Sequence, residues 1–455
     1  MTNPKISFNP KSPNSLDLDQ MRQQFDAAPY PRIPPEQSPT RDYNELFIHN
    51  MVTPYYLRDR RVVDTQNKLI LDAGCGTGYK ALVLAVANPG AKVVGIDLSE
   101  KSVELAKQRL TFHKFDDMDF YAMSIYDIAE LGMTFDYINC DEVLYLLPDP
   151  LAALQAMRDV LAPGGVIRVN LHSAIQREVY YRAQEMFRMF GLMDEPPSEE
   201  HRAAVVATMT NLKNNVNMRM RGWEPSCEIK SEGASEAIFA NFLLSGDRGF
   251  TIPEVFEMLE ATNLDFLSMV NWRHWDVQEL FKNVEELPGL IGMALTMASP
   301  AEQLRLYELL NPIHRLFDFW CYNPDSPPAD LPPEEWSDAD WQTALVHLHP
   351  QLREADVKEK VLKAIEIHQP FNFADVLALP AKAPIPVDST VAATLLALWE
   401  GPQTVPALCQ RYRTLHPVHP LSLEPLTDAD AMTAMRYALT YLEPFLYVLL
   451  ERQPA

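Results

Sequence analysis

The chain has 455 residues, too many for one ordinary hydrophobic core, so two or three domains are expected. With 47% hydrophobic and 22% charged residues it reads as a water-soluble globular protein. Its 62 Asp and Glu against 39 Lys and Arg leave a net charge of −23, a field that repels phosphate backbones and anionic lipid and argues against nucleic acid or a membrane as partner. Residues 1–40 are rich in Pro, Asn, Ser and Gln and read as an extended arm. Over 42–61, Leu46, Phe47, Met51 and Val52 recur at roughly helical spacing. Lys68-Leu69-Ile70-Leu71 is a short apolar run ending in Asp72, a buried-strand signal. A Gly-rich turn and a short helix over 81–87 follow, stopped by Asn88-Pro89-Gly90. A second strand over 92–96 then ends in Asp97. Ser99 is placed to cap a helix carrying Val103, Ala106 and Leu110 on one face. Further strands are expected over 119–123, 135–140 and 166–171, the last preceded by a helix over 151–161 and the turn Ala162-Pro163-Gly164-Gly165. Strands alternating with helices at this spacing require crossover connections, hence a parallel sheet covered on both faces.

From 173 to 245 the strand signal vanishes, and the segment reads as a helical insertion after the fifth strand. The α/β rhythm returns at Phe250: Thr251-Ile252-Pro253 opens a helix with Val255, Met258 and Leu259 on one side, and 264–270 reads as a strand. Past Trp272 the chain reads all-helical, punctuated by Pro-rich stretches over 326–333 and 380–386 that are candidate linkers. The expected division is an arm over 1–40, an α/β domain over 41–275 carrying the insertion 173–245, a helical middle domain over 276–380, and a C-terminal domain over 381–455. In the last, 391–399, 405–412 and 428–441 read as helices and 445–449 as a strand. Cys75, Cys140, Cys227, Cys321 and Cys409 are scattered without a CxxC pair, which is no disulfide framework and fits a reducing cytosol. The polar, Pro-rich start shows no signal peptide and no apolar run reaches membrane length, so a cytoplasmic location is expected.

The chemistry is concentrated in Asp72-Ala73-Gly74-Cys75-Gly76-Thr77-Gly78, directly after a strand and before a helix. Glycines there let backbone approach a nucleotide-type cofactor, and a helix N-terminus supplies free N–H groups. Asp97 ends the next strand, where a carboxylate can accept both hydroxyls of a ribose. A dinucleotide fingerprint, G-x-G-x-x-G, would need glycine where Tyr79 stands; the third glycine falls at Gly78, which speaks against a nicotinamide cofactor. The observed D-x-G-x-G-x-G instead resembles motif I of class I S-adenosylmethionine-dependent methyltransferases. Behind it, in order, Ile125-Tyr126-Asp127 resembles the adenine-side acidic motif of that family. The run from Phe135 through Cys140-Asp141-Glu142 to Pro150 is similar to its fourth-strand motif and following loop, and Leu161-Ala162-Pro163-Gly164-Gly165 to the approach to strand five. The resemblance covers 40–172 well and 250–270 loosely. It implies a Rossmann-like α/β fold with a parallel-dominated sheet, a helical insertion and a mostly α-helical C-terminal part, with S-adenosyl-L-methionine as cofactor. It also implies a cofactor site of Asp72, Ala73, Gly74, Cys75, Gly76, Thr77, Gly78, Asp97, Leu98, Tyr126, Asp127 and Cys140. In the family, the first-strand acid and loop backbone surround the methionine moiety and the second-strand acid takes the ribose. The Cys75 and Cys140 side chains themselves read as small packing groups at strand ends.

Methyl transfer from a sulfonium needs in-line alignment and exclusion of water, and a general base only where the acceptor arrives protonated. Catalytic side chains are therefore weakly encoded. The candidates are Tyr30 and Arg32 in the arm, Tyr145 after strand four, and His172 in the loop beyond strand five, each of which can equally be a packing residue. The insertion is expected to form a lid or acceptor pocket lined by Tyr180, Tyr181, Phe187, Met189 and Phe190, for a protein side chain or a mid-sized metabolite. The alternative is a regulatory protein that keeps the cofactor fold without turnover. The C-terminal part faintly resembles the winged-helix regulatory domain of bacterial methyltransferases, including protein-lysine methyltransferases. With few basic residues beyond Arg411 and Arg413, a protein-binding or homo-oligomerising role is expected of it rather than DNA binding. His347, His349, His416 and His419 lack nearby cysteines and familiar spacing, so no metal is expected.

Overall fold

Short apolar runs in the first 173 residues pair side by side as parallel strands: β1 (Leu69–Ala73), β2 (Lys92–Asp97), β3 (Asp119–Ala122), β4 (Phe135–Cys140) and β5 (Leu161–Ser173). The computed structural model describes residues 15–27, 29–195, 197–228, 232–325, 330–419 and 421–453. Successive residues of a strand face opposite sides of the sheet, and both sides are buried here. Ile70, Val93, Tyr137 and Val166 meet the helices Tyr79–Ala87 and Glu100–Phe112 through Leu82, Ala106 and Leu110. Leu71, Val94, Ile138 and Ile167 meet the helices Pro150–Asp159 and Ile252–Ala261 through Leu154, Met157 and Met258. A capping box between Thr251 and Glu254 starts the last of these helices.

The sheet does not end at residue 275. β6 (Gly249–Phe250) pairs with the last two residues of β5, and β7 (Asp265–Met269) joins the sheet through β8 (Leu316–Tyr322), which runs antiparallel to both β5 and β7. The strand order is β3-β2-β1-β4-β5-β8-β7, with β6 off that path. This corrects the all-helical reading past Trp272 and the domain boundary at 275. Leu316-Phe317-Asp318-Phe319-Trp320-Cys321-Tyr322 is a short apolar run, and periodicity alone cannot tell such a run from a helix.

The stretch between β5 and β6 is helical as expected: Glu178–Met189, Glu199–Asn211, Asn217–Gly222 and Glu232–Phe242 pack around a core of their own that includes Phe187, Val205, Met209, Trp223 and Phe242. The arm, in contrast, is not extended throughout. Ser15–Ala27 is a helix, held down by Met21 against the main core and by Asp26, which accepts a hydrogen bond from the Ser99 hydroxyl (2.6 Å). Residues 1–14 of the expected arm lie outside the described residues.

The C-terminal part is built on a small antiparallel sheet with β9 (Leu345–Leu348) at its centre. The hairpin pair β10 (Phe371–Asn372) and β11 (Pro386–Val387) follows, and β12 (Gln403–Thr404) and β13 (Val448–Glu451) flank β9. The helices Ser389–Leu395, Val405–Leu415 and Asp428–Leu442 cover it. The central strand thus comes from before residue 380, so the expected boundary at 381 cuts through one core. Residues 380–386 are not a linker, since Ile385 and Val387 are buried in that core; of the other expected linker, 326–329 lie outside the described residues. The helices Tyr43–His49 and Val52–Asp59 join the two parts: Phe47, Val52 and Tyr56 pack into the C-terminal core, while Met51 and Tyr55 pack under the main sheet. His349 sits in this seam, buried, with Nε2 3.1 Å from the Thr53 hydroxyl. Among the described residues no helix is long and apolar enough to cross a membrane.

Trp320 on β8 is fully buried, and its indole N–H donates to the Tyr137 hydroxyl of β4 (3.2 Å). Trp320→Ala should therefore destabilise the domain that holds β1 by about 3–5 kcal/mol, seen as a lowered urea midpoint of its unfolding transition. An unchanged midpoint would mean that residues 316–322 do not belong to this sheet.

Candidate active site

At the C-terminal ends of the strands, the glycine-rich loop is stapled to its surroundings by its own backbone. The N–H groups of Gly74 and Cys75 both donate to the Ile96 carbonyl (2.8 Å each), Thr77 N–H donates to the Tyr30 carbonyl (3.0 Å), and Gly78 N–H to that of Cys75 (2.9 Å). Gly76 N–H donates to Asp97 Oδ2 (2.9 Å), and Ser99 N–H to Asp97 Oδ1 (2.9 Å). The loop N–H groups are thus all used within the protein, so the loop shapes the site rather than offering an anion cradle. Gly76 has φ +51°, and a Cβ there would run into the Tyr30 carbonyl. Glycine is required at this position by the arm lying over it, not by ligand volume as the motif alone suggests. The arm is tied down further by Thr77 Oγ1, which donates to the Pro31 carbonyl (2.7 Å). Arg109 donates to the carbonyls of Thr77, Pro34 and Ile33 (2.9, 2.9 and 2.6 Å).

Asp72, the acid at the end of β1, is buried. Its Oδ1 accepts from Asn139 Nδ2 (2.9 Å), while Oδ2 has no hydrogen-bond partner. Burial pushes this carboxyl up to about 7 against the opposing pull of the Asn139 hydrogen bond. A buried carboxylate oxygen left unpaired is costly unless a donor arrives, and a cationic ligand group would supply one. Asn139 is held in turn by Arg168, whose guanidinium donates to Asn139 Oδ1 (2.9 Å) and in bidentate fashion to Asp318 (2.9 and 2.7 Å). Asp141 lies between Arg168 (3.5 Å) and Lys80 (2.9 Å). Burial alone would raise its carboxyl, but the two cations and His49 hold it well below the usual carboxylate range.

The remaining motif residues fall on the same edge with different fates. Asp97 is half-buried; burial raises its pKa, and the N–H groups of Ser99 and Gly76 pull it back. Each Asp97 oxygen accepts one backbone N–H and keeps a lone pair free. Leu98 is half-buried beside it. The Tyr126 hydroxyl donates to the Asp149 carbonyl (3.1 Å) and accepts from the Asp149 N–H (3.0 Å), pinning the loop after β4. Asp127, in the same short turn, is exposed. Cys75 and Cys140 are buried, and burial pushes both thiols up, in keeping with packing roles.

A second cluster brings together three residues singled out from sequence. The Tyr145 hydroxyl donates to Glu142 Oε2 (2.8 Å), and its ring stacks on that of His172 with centroids 3.7 Å apart. His172 is not in a loop: it lies within β5, paired with Gly249 and Leu316, and is 1% exposed. Its Nδ1 lies 2.6 Å from Asp247 and its Nε2 3.0 Å from the Arg315 guanidinium, which also ion-pairs with Glu142. Arg177 and Gln184 of the insertion complete the partners of Asp247 (2.8 and 3.0 Å). The half-exposed Tyr30 phenol lies in the field of Glu142 and Arg315; burial and the Glu142 charge raise it. Arg32 is exposed and stands outside the cluster.

Of the five insertion residues expected to line a pocket, Phe187 is inside the insertion's own core, Met189 and Phe190 are exposed, and Tyr180 packs on Phe242. Tyr181 approaches the cluster, against Gly249 and within the field of Asp247 and Arg315, and the Arg177 guanidinium lies over the rings of both Tyr180 and Tyr181. Sequence reasoning missed Glu142, Arg315, Asp247, Asn170 and Lys80. The adjacent acids Asp141-Glu142 after a predicted strand were the one available signal. Glu142 adopts φ +60°, with its N–H donating to Asn170 Oδ1 (2.7 Å).

Residues 64–233 match the model of a methyltransferase-domain family. An uncharacterized protein of Synechococcus sp. is 28% identical over 347 residues, spanning 76% of this chain and 79% of that one. The ubiquinone biosynthesis O-methyltransferase of Neisseria meningitidis serogroup C is 33% identical over 106 residues, 23% of this chain and 44% of that enzyme's length. Among solved structures, PKMT2 from Rickettsia typhi in complex with AdoHcy superposes with a TM-score of 0.57 at 16% identity, covering 93% of this chain and 78% of that one, a likeness of fold. The glycine loop and the acids closing β1 and β2 all lie within the matched residues, and residues 64–233 are a methyltransferase domain that uses S-adenosylmethionine.

Proposed function

We propose that the cofactor lies along the ends of β1, β2 and β4, bordered by Asp72, Ala73, Gly74, Cys75, Gly76, Thr77 and Gly78, by Asp97 and Leu98, and by Tyr126, Asp127 and Cys140. The observation that carries this reading is the unpartnered Oδ2 of buried Asp72, one strand away from the half-occupied carboxylate of Asp97. Asp72 suits the ammonium of the methionine portion, and the free lone pairs of Asp97 suit the ribose hydroxyls. When bound, S-adenosylmethionine supplies a methyl group on a sulfonium, a leaving group that needs no proton.

We further propose that the acceptor, a protein side chain or a mid-sized metabolite, is met by Glu142 and Arg315, with Tyr30 and Tyr145 beside them. Arg315 has donors only, so the His172 Nε2 facing it is the unprotonated nitrogen and Nδ1–H donates to Asp247. Burial lowers the His172 pKa despite Asp247, so the ring is neutral near pH 7 with both nitrogens occupied. His172 therefore positions Arg315 and is not the general base. Glu142 is the group in this cluster that can take a donor from an acceptor, since Tyr145 and Arg315 occupy only part of its lone-pair capacity. The five free, buried cysteines support a reducing, cytoplasmic setting. Turnover with label from S-adenosylmethionine and a host lysate, fractionated into protein and small molecules, tests the acceptor class directly.

Three outcomes are expected. Asp97→Ala should weaken S-adenosylhomocysteine binding by about 2 kcal/mol, read by calorimetry, because charge-assisted bonds are lost; an unchanged dissociation constant would place the ribose elsewhere. A cation beside Asp72 favours its ionised form, so binding releases the proton that burial retains. Affinity should therefore rise from about pH 6 to about pH 8 and then level off, and Asp72→Asn should abolish that slope. A flat wild-type profile would sink the Asp72 assignment. Glu142→Gln and Arg315→Ala should each cut methyl transfer by about a hundredfold or more, with S-adenosylhomocysteine affinity unchanged. Wild-type transfer by both variants would mean that the acceptor binds elsewhere.

A further inference from the structure

The helix Gly289–Met297, Gly-Leu-Ile-Gly-Met-Ala-Leu-Thr-Met, contains no charged residue. A helix apolar on every side is ordinarily enclosed, yet Leu295 is its one buried residue. Leu290, Ile291, Met293 and Met297 are 80%, 45%, 63% and 77% exposed. Scattered apolar residues on a surface need no explanation, whereas four on one short helix mark an interaction site. The next helix, Pro300–Leu310, starts three residues after Met297 and forms one wall of a groove of about 380 Å³. Phe266 and Met269 of the sheet-edge strand β7, Trp272, Trp275 and Leu304 line the groove together with the polar side chains of Asp276, Gln278 and Gln303.

Charge decides what covers this face. Between residues 276 and 302 the chain carries five acids and a single base, Lys282, and Asp276, Glu285, Glu286 and Glu302 are exposed. A second copy would bring the same acids and the same net charge of −23, and an anionic lipid surface would be repelled in the same way. A partner with an apolar stripe flanked by Lys or Arg meets both features. We propose that the helix Gly289–Met297 and the adjoining groove dock a cationic amphipathic segment of another polypeptide. Its apolar side chains cover Leu290, Met293 and Met297 and enter the Trp272–Trp275 groove, and its cations face Glu285, Glu286 and Glu302. The unbranched methionines let the face adapt to differently shaped apolar side chains.

The test uses the full chain and a fluorescein-labelled helical peptide of about 18 residues made of Leu and Lys, with a scrambled peptide of equal composition as control. Anisotropy should show saturable binding of the amphipathic peptide, at least about tenfold tighter than the scrambled one. The double variant Leu290→Glu, Met293→Glu should bind about tenfold or more weakly while keeping the thermal shift given by S-adenosylhomocysteine, which shows that it is folded. Equal binding of both peptides, or of both proteins, would overturn the proposal, because net charge alone would then explain the interaction. So would a concentration-dependent dimer, abolished by the double variant, in a protein that ignores the peptide, or binding only to phosphatidylcholine vesicles.

Discussion

One buried guanidinium holds the working edge of the sheet together. Arg168 on β5 donates to Asp318 on β8 and to Asn139 on β4, approaches Asp141 at the end of β4, and meets His49 from the helix beneath. Asn139 passes the contact on to Asp72 of β1, so a polar row crosses four adjacent strands, β8, β5, β4 and β1. Its direction is fixed by hydrogen-bonding chemistry. Arginine can only donate, so the Asn139 oxygen must face Arg168 and its amide nitrogen must face Asp72. Asp72 therefore receives a donor on one oxygen and keeps the other open. Removing the cation strands Asp318 and the Asn139 oxygen, while Asp141 keeps Lys80, a cost on the order of 3–5 kcal/mol. The row supports the site at least as much as the fold.

The loop and the arm form a second constraint of a different kind. Backbone bonds from Gly74 through Thr77 end on Ile96, Asp97 and Tyr30, that of Gly78 ends on Cys75 within the loop, and Arg109 ties the arm's carbonyls of Ile33 and Pro34 to the helix Glu100–Phe112. The loop is thereby shaped before any ligand arrives, which lowers the ordering cost of binding. Asp97 has a double task in this arrangement, since it organises the loop through Gly76 N–H and the next helix through Ser99 N–H. Its carboxylate is aimed by those two bonds.

What could be read from the amino-acid sequence follows from how local each signal is. β1, β2 and β4, the glycine turn and Asp97 are written in contiguous residues, and the structure has them where the motifs imply. The insertion's helices were equally visible, but the direction of their side chains was not: helical spacing could not show that Phe187 faces the insertion's core and Met189 solvent. β8 was lost because a seven-residue apolar run is ambiguous between strand and helix, and its pairing with β5 spans about 150 residues of chain. The C-terminal core escaped for a related reason, since its central strand β9 is separated from β12 and β13 by helices that look like a domain of their own. Tyr145 and His172 were visible as residues, whereas the partners that define their roles, Glu142, Asp247 and Arg315, come together only in three dimensions.

The antiparallel sense of β8 is what brings Arg315 to Glu142. Because β8 runs against β5, its first residue, Leu316, pairs with His172 near the last residues of β5. Arg315 immediately before it is thereby delivered to the C-terminal edge of the sheet, beside Glu142 and His172. A parallel strand of the same seven residues would place its start at the opposite edge, about 20 Å away by the rise of a strand. The insertion closes the arrangement from the other direction: Asp247 stands two residues before β6, which pairs with His172 on the remaining edge of β5. His172 is thus gripped between an acid supplied by the end of the insertion and a cation supplied by the start of β8. Its neutral ring transmits the position of each to the other, and the Glu142–Arg315 pair inherits its geometry from segments of the chain that carry no methyltransferase motif.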